Sequence, residues 1–310
     1  ITGDLMILTV TPNIALDITY TIDKFELHSS MRVNDVADRA GGKGINVSRV
    51  LASLGYESLI LGLQGGNVGA AIEADLIASQ LPYELVPIVG QTRRSVGIVD
   101  RSTGDATVLN EAGPDVSGEE WERLTQTVAR HLPQASTLVV SGSLPPGIGQ
   151  AGVAELAQLA VAASVPVIVD TSGPSLLDAV AIGPDVVKPN AHEIASATGI
   201  DDPLEGAAAL IERGAKAVVV SLGADGMCVV TADQTLRAKP TRTISGNPTG
   251  AGDAGVAALA AGLAFSNSWE DRLRQAVAVS AAAVAHPLAG SFDPDVYESM
   301  LTDVLVEDLS

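Results

Sequence analysis

The stretch Asn247-Pro-Thr-Gly-Ala-Gly-Asp-Ala-Gly255 runs directly into an Ala-rich segment, and it is compatible with two different folds. The first is a dinucleotide-binding unit, because the glycines of the stretch match the pattern G-x-G-x-x-G. That unit needs a strand immediately before the glycines and an acidic residue at the end of the next strand, about twenty residues on. Here Pro248 interrupts the approach, and Glu270 and Asp271 fall at the start of a helical pattern. The dinucleotide interpretation therefore fails on its context.

The second interpretation is a phosphate-binding helix start. The N–H groups of Gly250, Ala251 and Gly252 would lie unpaired at the N-terminus of a helix, where the dipole favours negative charge. Such a group of amides suits the charge on a transferring phosphoryl group. Asp253 would face the same point, where a carboxylate accepts the proton of an attacking hydroxyl. On position alone, Asp253 is explained equally well as a residue that caps the helix.

Around this stretch, apolar runs with the length of buried parallel strands alternate with helix-like segments. The predicted strands are Met6–Val10, Ser58–Leu63, Thr137–Ser141, Val165–Asp170, Asp185–Lys188 and Ala217–Ser221. The predicted helices are Ile45–Leu54, Val68–Ser79, Gly118–Leu132, Gly152–Ala163 and Leu204–Arg213. The alternation predicts an α/β fold, with a doubly wound, mostly parallel sheet and helices on both faces. The C-terminal third is Ala-rich at Asp253–Ala264 and Trp269–Ala285 without a strand candidate, so we expect two packed helices to close the domain.

Two segments break the alternation. Asp17–Asp38 and Arg94–Leu109 alternate apolar and polar residues, as half-exposed antiparallel strands do. The first two βα units separate these segments along the chain. We expect them to form a small sheet that projects as a lid, with strands at about 16–38 and 94–110, inserted into one domain that spans residues 1–310.

Composition and charge narrow the class of protein. Hydrophobic residues make up 46% of the chain, which suits a folded enzyme. The 18 basic and 37 acidic residues give a net charge of −19, which argues against a nucleic-acid partner. An anionic ligand would therefore need cations gathered locally. The chain has no apolar run of the length that spans a membrane and no secretory signal pattern, so we expect a cytoplasmic protein without a membrane partner.

Two motifs together resemble a known family. Gly250-Ala251-Gly252-Asp253 and Ala40-Gly-Gly-Lys-Gly-Ile-Asn-Val47 are similar to the two signatures of the PfkB (ribokinase-like) carbohydrate kinases. The similarity runs from about Leu8 to Ala289 and is strongest to the branch that contains 1-phosphofructokinase and tagatose-6-phosphate kinase. Further blocks of that branch are Ser141-Gly-Ser-Leu-Pro-Pro-Gly147, Asp170-Thr-Ser-Gly173, Val187-Lys-Pro-Asn190 and Val220-Ser-Leu-Gly223. The resemblance implies a ribokinase-like fold and an enzyme that uses ATP and Mg²⁺ to phosphorylate a hydroxyl of a small phosphorylated ketohexose.

The resemblance also implies roles for residues at the nucleotide end. Asp253 becomes the catalytic base, with the amides of Gly250, Ala251 and Gly252 as the anion hole. The element Lys188, Asn190 and Glu193 is expected near the ATP phosphates. Asn190 and Glu193 are expected to organise Mg²⁺ through water, which suits a cation that keeps several waters. The loop with Ser221, Gly223 and Gly226 is expected to approach the nucleotide closely.

At the sugar end, the resemblance implies that Asp17 binds sugar hydroxyls and that Gly41, Gly42 and Asn46 shape the same pocket. The cations expected to bind a substrate phosphate are Arg32 on the first lid strand, Lys43 and Arg93, with the hydroxyl of Ser143 beside them. Arginine suits this role because its planar guanidinium binds phosphate in a bidentate manner.

Two departures from the branch keep alternatives open. Ser30 stands where related phosphofructokinases often carry a lysine, and Asn247-Pro-Thr249 is closer to kinases that act on unphosphorylated sugars. A kinase of an unphosphorylated sugar or a nucleoside is therefore an alternative. An NAD(P)-binding oxidoreductase and a non-catalytic sugar sensor are more distant ones, and the intact base and anion hole disfavour the sensor. An exposed antiparallel lid edge favours pairing between copies, so we expect a homodimer through the lid sheet.

Overall fold

The computed structural model describes residues 5–310, whose strands form two sheets, one of ten strands and one of four. In chain order the strands are β1 (Met6–Thr11), β2 (Ala15–Ile22), β3 (Asp35–Gly41), β4 (Ser58–Gln64), β5 (Tyr83–Pro87), β6 (Arg93–Asp100), β7 (Ala106–Asn110), β8 (Ala135–Ser141), β9 (Val167–Asp170), β10 (Val186–Val187), β11 (Ala217–Ser221), β12 (Met227–Thr231), β13 (Thr235–Pro240) and β14 (Val304–Asp308). The helices are α1 (Lys43–Ser53), α2 (Gly66–Ala78), α3 (Gly118–His131), α4 (Gly152–Ala162), α5 (Pro174–Val180), α6 (Ala191–Thr198), α7 (Pro203–Glu212), α8 (Ala251–Ala264), α9 (Trp269–Val284) and α10 (Pro294–Asp303).

The large sheet has the order β14-β13-β12-β11-β10-β9-β8-β1-β4-β5. Every pair from β11 to β5 is parallel, while β12, β13 and β14 add an antiparallel edge. Successive strand residues face opposite sides, so Leu8 packs in one buried cluster with α3 to α7, and Ile7 packs in another with α1, α8 and α9. These two layers confirm the predicted doubly wound fold.

The predicted strands and helices are all present, with ends that differ by a few residues. The expectation that two Ala-rich helices close the domain is only partly confirmed. Helices α8 and α9 pack against each other, but α10 and the strand β14 follow them. Strand β14 pairs only with β13 at the sheet edge and is partly exposed, so it lacks the continuous apolar run of a buried strand.

The predicted small sheet is present, with strand order β3-β2-β6-β7, and the name lid is kept for it below. The hairpins β2–β3 and β6–β7 are antiparallel as predicted, but their central pair, β2 with β6, is parallel. The reason is topological, since β2 follows β1 and β6 follows β5, and those two strands run in the same direction. Leu16 and Ile18 pack against α2 on one face of the lid, so Asp17 lies on the opposite face.

No helix within residues 5–310 is both long enough and apolar enough to cross a membrane.

Candidate active site

Helix α8 begins inside the Gly-rich stretch, with Gly250 as its N-cap. Gly250 has a φ of 84°, in the left-handed region where glycine is favoured. A Cβ at this position would lie 2.9 Å from the Cα of Ala289, so a side chain would also collide with the neighbouring loop. Glycine is therefore required to start the helix at this point.

The amides of this helix start are only partly those that the sequence predicts. The Ala251 N–H donates to the carbonyl oxygen of Pro248 at 3.2 Å, so it is not free for an anion. Within the described chain, the N–H groups of Gly250, Gly252 and Asp253 donate to no protein acceptor. The free amides are therefore those of Gly250, Gly252 and Asp253, because the Ala251 N–H is used by the turn at Pro248.

Asp253 lies in the first turn of α8, and its side chain is buried. Its Oδ2 accepts a hydrogen bond from the Asn46 Nδ2 at 2.8 Å, and no N–H of the first turn donates to this carboxylate. A residue that only capped the helix would accept such a backbone bond. The carboxylate instead points across to α1, and the capping explanation loses its support.

Burial raises the pKa of Asp253 from its ordinary value of 3.8 to about 7. The charges of Lys43 and Lys188 and the hydrogen bond from Asn46 oppose this rise, while the negative charge of Asp170 adds to it. A carboxylate with a pKa near neutrality is well matched to the task of a general base. Perturbed carboxylates in clefts are also a general mark of functional sites.

Lys43 is the first residue of α1 and forms an ion pair with Asp170, near the Asp253 carboxylate. Its Nζ lies 3.3 Å from the Oδ1 of Asp170, at the carboxyl end of β9, and Ser141 donates to the other Asp170 oxygen at 3.0 Å. Burial alone would raise the pKa of Asp170, but the charges of Lys43 and Lys188 hold it below its usual range. The attraction of Asp170 in turn raises the pKa of Lys43, so this ammonium stays protonated.

Asp170 was not among the predicted site residues, although the block that contains it was recognised. The ion pair joins residues 127 positions apart, so no local pattern shows it. The usable signal was its place at the end of a parallel strand, where sheets of this kind gather functional side chains.

Lys188 follows β10 and is buried, as few lysines are. A Cβ added at Gly252 would lie 3.5 Å from its Nζ, so the ammonium lies beside the free amides of α8. Its charge also acts on Asp170 and Asp253. One cation and several amides therefore converge on the same point, which suits a phosphoryl group.

Asn190 and Glu193 form a reciprocal cap at the start of α6. The Asn190 Oδ1 accepts from the Glu193 N–H, and the Glu193 Oε2 accepts from the Asn190 N–H, both at 2.8 Å. The other carboxylate oxygen of Glu193, Oε1, makes no hydrogen bond within residues 5–310. Since Mg²⁺ in phosphate sites is held by one or two carboxylates, water and substrate oxygens, this free oxygen fits the metal. No cluster of three or more acidic, histidine or cysteine ligands occurs in the described part of the chain.

A cavity of about 690 Å³ opens beside α8. Six predicted residues line it, namely Asn190, Ser221, Gly223, Gly226, Ala251 and Gly252. The sequence did not predict its apolar wall, which includes Ile244, Val277, Ala281 and Val284. A polar end near the α8 amides and an apolar wall match the two ends of a nucleotide.

The tip of the β6–β7 hairpin also lines this cavity, through Thr103, Gly104 and Asp105. A hydrogen bond holds this turn, in which the Asp100 carboxylate accepts from the Ser102 N–H at 2.7 Å. The lid therefore lines the large cavity as well as the cavity beside Asp17, which the sequence did not predict.

Asp17 lies on β2 against the glycines of the first signature. A Cβ at Gly41 would lie 2.0 Å from its Oδ2, so only glycine leaves room for this carboxylate. Burial raises the pKa of Asp17 to about 6, while the charges of Arg93 and Arg39 oppose the rise. Asp17 thus lies against Gly41 at the end of β3 and Gly42 at the N-cap of α1, and Lys43 and Asn46 follow in α1.

The predicted phosphate-binding residues do not all meet. Arg93 begins β6, and its Nε and Nη1 donate to the carbonyl oxygens of Asn13 and Glu111 at 3.1 and 3.3 Å. Ser143 follows β8, and its Oγ accepts from the Asn13 Nδ2 at 3.4 Å. The prediction that Arg32 lies on a lid strand is wrong, because β2 ends at Ile22 and Arg32 is exposed in the loop before β3.

Sequence reasoning also missed Arg39, which lies opposite Asp17 in the β2–β3 register. Arg39 and Asp17 line a second cavity, between the lid and the segments of Asn247, Thr249 and Leu288. The pairing of two strands places Arg39 there, and a single sequence does not give that register directly.

The dinucleotide interpretation also fails in the structure. The nearest strand before the glycines is β13, which is antiparallel to both of its neighbours and ends at Pro240. A loop of ten residues separates it from α8. The tight strand-to-helix turn of a dinucleotide site is therefore absent at this position.

Comparison with known proteins defines the class to which this fold and site belong. The model of the pfkB family carbohydrate kinases matches residues 11–295. The chain belongs to this family.

Two solved structures illustrate the similarity. Phosphofructokinase-2 from Escherichia coli, in complex with fructose-6-phosphate, is 28% identical over 96% of this chain and 98% of its own, with a TM-score of 0.88. A possible 1-phosphofructokinase from Thermotoga maritima is 29% identical over 98% of this chain and 100% of its own, with a TM-score of 0.89. Ribokinase from Arabidopsis thaliana, at 20% identity and a TM-score of 0.77, shares the fold.

The protein is thus a sugar kinase, a phosphotransferase whose acceptor is an alcohol group. Kinases of this family use ATP and typically a divalent metal.

Proposed function

We propose that the protein transfers the γ-phosphoryl group of ATP to a hydroxyl of a small phosphorylated ketohexose, in the manner of 1-phosphofructokinase or tagatose-6-phosphate kinase. The observation that carries the proposal is the position of Asp253, a buried carboxylate with a pKa of about 7 in the first turn of a helix that offers free amides. The phosphofructokinase-2 relatives, one of them in complex with fructose-6-phosphate, support the phosphorylated substrate.

In the proposed reaction, Asp253 removes the proton from the sugar hydroxyl as the oxygen attacks the γ-phosphorus. The bond to the bridging oxygen of ATP breaks, and ADP leaves with the electron pair. The amides of Gly250, Gly252 and Asp253, with Lys188, stabilise the charge on the transferring group. Asn190 and Glu193 would hold Mg²⁺ through water, and its bound charge would offset that of the ATP phosphates.

The loops Lys188–Glu193 and Ser221–Gly226 bind the nucleotide, with the apolar wall of the large cavity against the base. The sugar lies under the lid, with its hydroxyls at Asp17 and its phosphate at the cations of that end of the site. Closure of the lid over both ends excludes water that would otherwise hydrolyse ATP.

A kinase of an unphosphorylated sugar is the second candidate, and the contacts of two predicted cations favour it. Lys43 is already paired with Asp170, and Arg93 donates to two carbonyl oxygens. Asn247-Pro-Thr249 before the anion hole also departs from the phosphofructokinase pattern.

The test is release of ADP with ATP and Mg²⁺ against fructose 1-phosphate, tagatose 6-phosphate, fructose 6-phosphate, fructose and ribose. A preference for one sugar phosphate supports the proposal, and activity on a free sugar alone rejects it. An Asp253→Ala variant serves as the background for each sugar, because it lacks the proposed base.

We further propose a homodimer through the lid sheet. Its edge strands β3 and β7 expose Val36 and Leu109 at 55% and 59%, and an exposed apolar edge strand favours pairing with another chain. One Escherichia coli phosphofructokinase-2 structure is described as a tetrameric inhibited form, so relatives of this chain do assemble. Light scattering on the wild type and a Leu109→Lys variant tests this proposal, since a dimer through the lid should dissociate in the variant.

A further inference from the structure

Arg39 occupies a position at the sugar end to which neither the family signatures nor the proposed mechanism assigns a role. It lies on β3 directly opposite Asp17, and both side chains line the cavity beneath the lid. Its Nη1 donates to the Oγ of Ser291 at 3.3 Å, in the loop before α10. The guanidinium therefore reaches from the lid to the main part of the protein, across one edge of the sugar cavity.

The cations that the sequence predicts for the phosphate are either already engaged or exposed in a loop. Lys43 is paired with the Asp170 carboxylate at 3.3 Å. Arg93 uses its Nε and one terminal nitrogen on backbone carbonyl oxygens. Arg32 lies exposed in the loop between β2 and β3.

Arg39 differs from Lys43 and Arg93 in its free donors. Within residues 5–310 it makes one side-chain hydrogen bond and no ion pair, so most of its N–H groups remain available. Burial and the like charge of Arg49 lower its pKa to about 10, so it remains a cation at neutral pH. A half-buried guanidinium without a paired carboxylate is costly unless an anion binds to it.

We propose that Arg39 binds the phosphate group of the sugar phosphate and thereby selects phosphorylated over unphosphorylated sugars. This inference rests on the proposed function. A planar guanidinium binds phosphate through two parallel hydrogen bonds. Its charge also separates two negative groups, the Asp17 carboxylate and the substrate phosphate, that would otherwise repel each other.

The experiment compares kcat/KM for the preferred sugar phosphate and for the same sugar without phosphate. Arg39→Gln removes the charge and the fork, while Arg39→Lys keeps only the charge. Lys24→Gln is the matched control, because Lys24 is an exposed lid cation paired with Glu26 and lines neither cavity. Thermal unfolding and the KM for ATP show whether each variant is folded and retains its nucleotide end.

We expect Arg39→Gln to lower kcat/KM for the sugar phosphate by about 10- to 100-fold, the range of a hydrogen bond to a charged group. The KM for ATP and the activity on the free sugar should change by less than about threefold, and Arg39→Lys should fall between wild type and Arg39→Gln. If Arg39→Gln does not fold, Arg39→Lys still tests the inference. A wild-type kcat/KM of Arg39→Lys for the sugar phosphate overturns it, because a bidentate guanidinium is then not needed.

Two other results would also overturn it. Equal losses on the phosphorylated and the free sugar would mean that Arg39 acts only through Asp17, and an unchanged preference would mean that it does not bind the phosphate. A wild-type enzyme that does not prefer any sugar phosphate would instead reject the proposed function, so the two failures are distinguishable.

Discussion

Asp253→Asn should inactivate the enzyme and at the same time stabilise its fold. The amide keeps the size of the side chain and an oxygen that accepts from Asn46, but it removes the charge. As an uncharged group it also cannot take the proton of the attacking hydroxyl. We expect turnover to fall by about 10²- to 10⁴-fold, the usual contribution of a general base.

The gain in stability follows from the pKa. Burial raises the pKa of Asp253 from 3.8 to about 7, roughly three units at about 1.4 kcal/mol each, so ionisation costs the folded state about 4 kcal/mol. Because the folded-state pKa is the higher one, the favourable contribution of the protonated group is complete below about pH 4. It is lost as the pH rises through about 7.

Urea unfolding at pH 5.5 and pH 8 measures this difference. The variant should exceed the wild type in free energy of unfolding by about 2 kcal/mol at pH 5.5 and about 4 kcal/mol at pH 8. Asp233→Asn, in the exposed turn between β12 and β13, is the control and should change neither stability nor turnover. A variant no more stable than wild type at pH 8, or one that loses only a few-fold in turnover, would refute this account of Asp253.

Three further predictions concern the same site. The wild-type kcat/KM should rise with pH to a plateau with a midpoint near 7, because Asp253 must be ionised to act as a base; a profile flat from pH 5.5 to 8.5 would contradict this. Gly41→Ala would place a Cβ 2.0 Å from the Asp17 Oδ2, so the KM for the sugar should rise at least about tenfold while the KM for ATP stays constant. Gly252→Ala meets only Lys188 at 3.5 Å, so thermal stability should hold while the methyl group obstructs the amides, and kcat should fall by about tenfold or more; wild-type kcat would exclude these amides from the reaction.

The part of the site that the sequence predicts consists of contiguous motifs at the starts of helices. Gly41, Gly42, Lys43 and Asn46 lie within one stretch, and Gly250 to Asp253 within another, so their proximity along the chain becomes proximity in space. The doubly wound sheet is predictable for a similar reason, because strands buried on both faces are continuous apolar runs.

The remainder depends on contacts between distant segments. The Lys43–Asp170 ion pair and the position of Arg39 opposite Asp17 arise from sheet topology and register, which a single sequence does not state. The loss of the Ala251 amide depends on a turn at Pro248, and β14 depends on an edge pairing with β13. In each case the local pattern is compatible with more than one partner, and tertiary packing selects one.

The most direct test of the proposed activity is a phosphorus NMR spectrum of the product formed from ATP and the preferred sugar. The proposal predicts a sugar bisphosphate, with two phosphate ester signals that appear in step with ADP and are absent with Asp253→Ala. A product with a single phosphate ester, formed from a free sugar, would contradict the phosphosugar specificity, although the protein would remain a kinase of the same family.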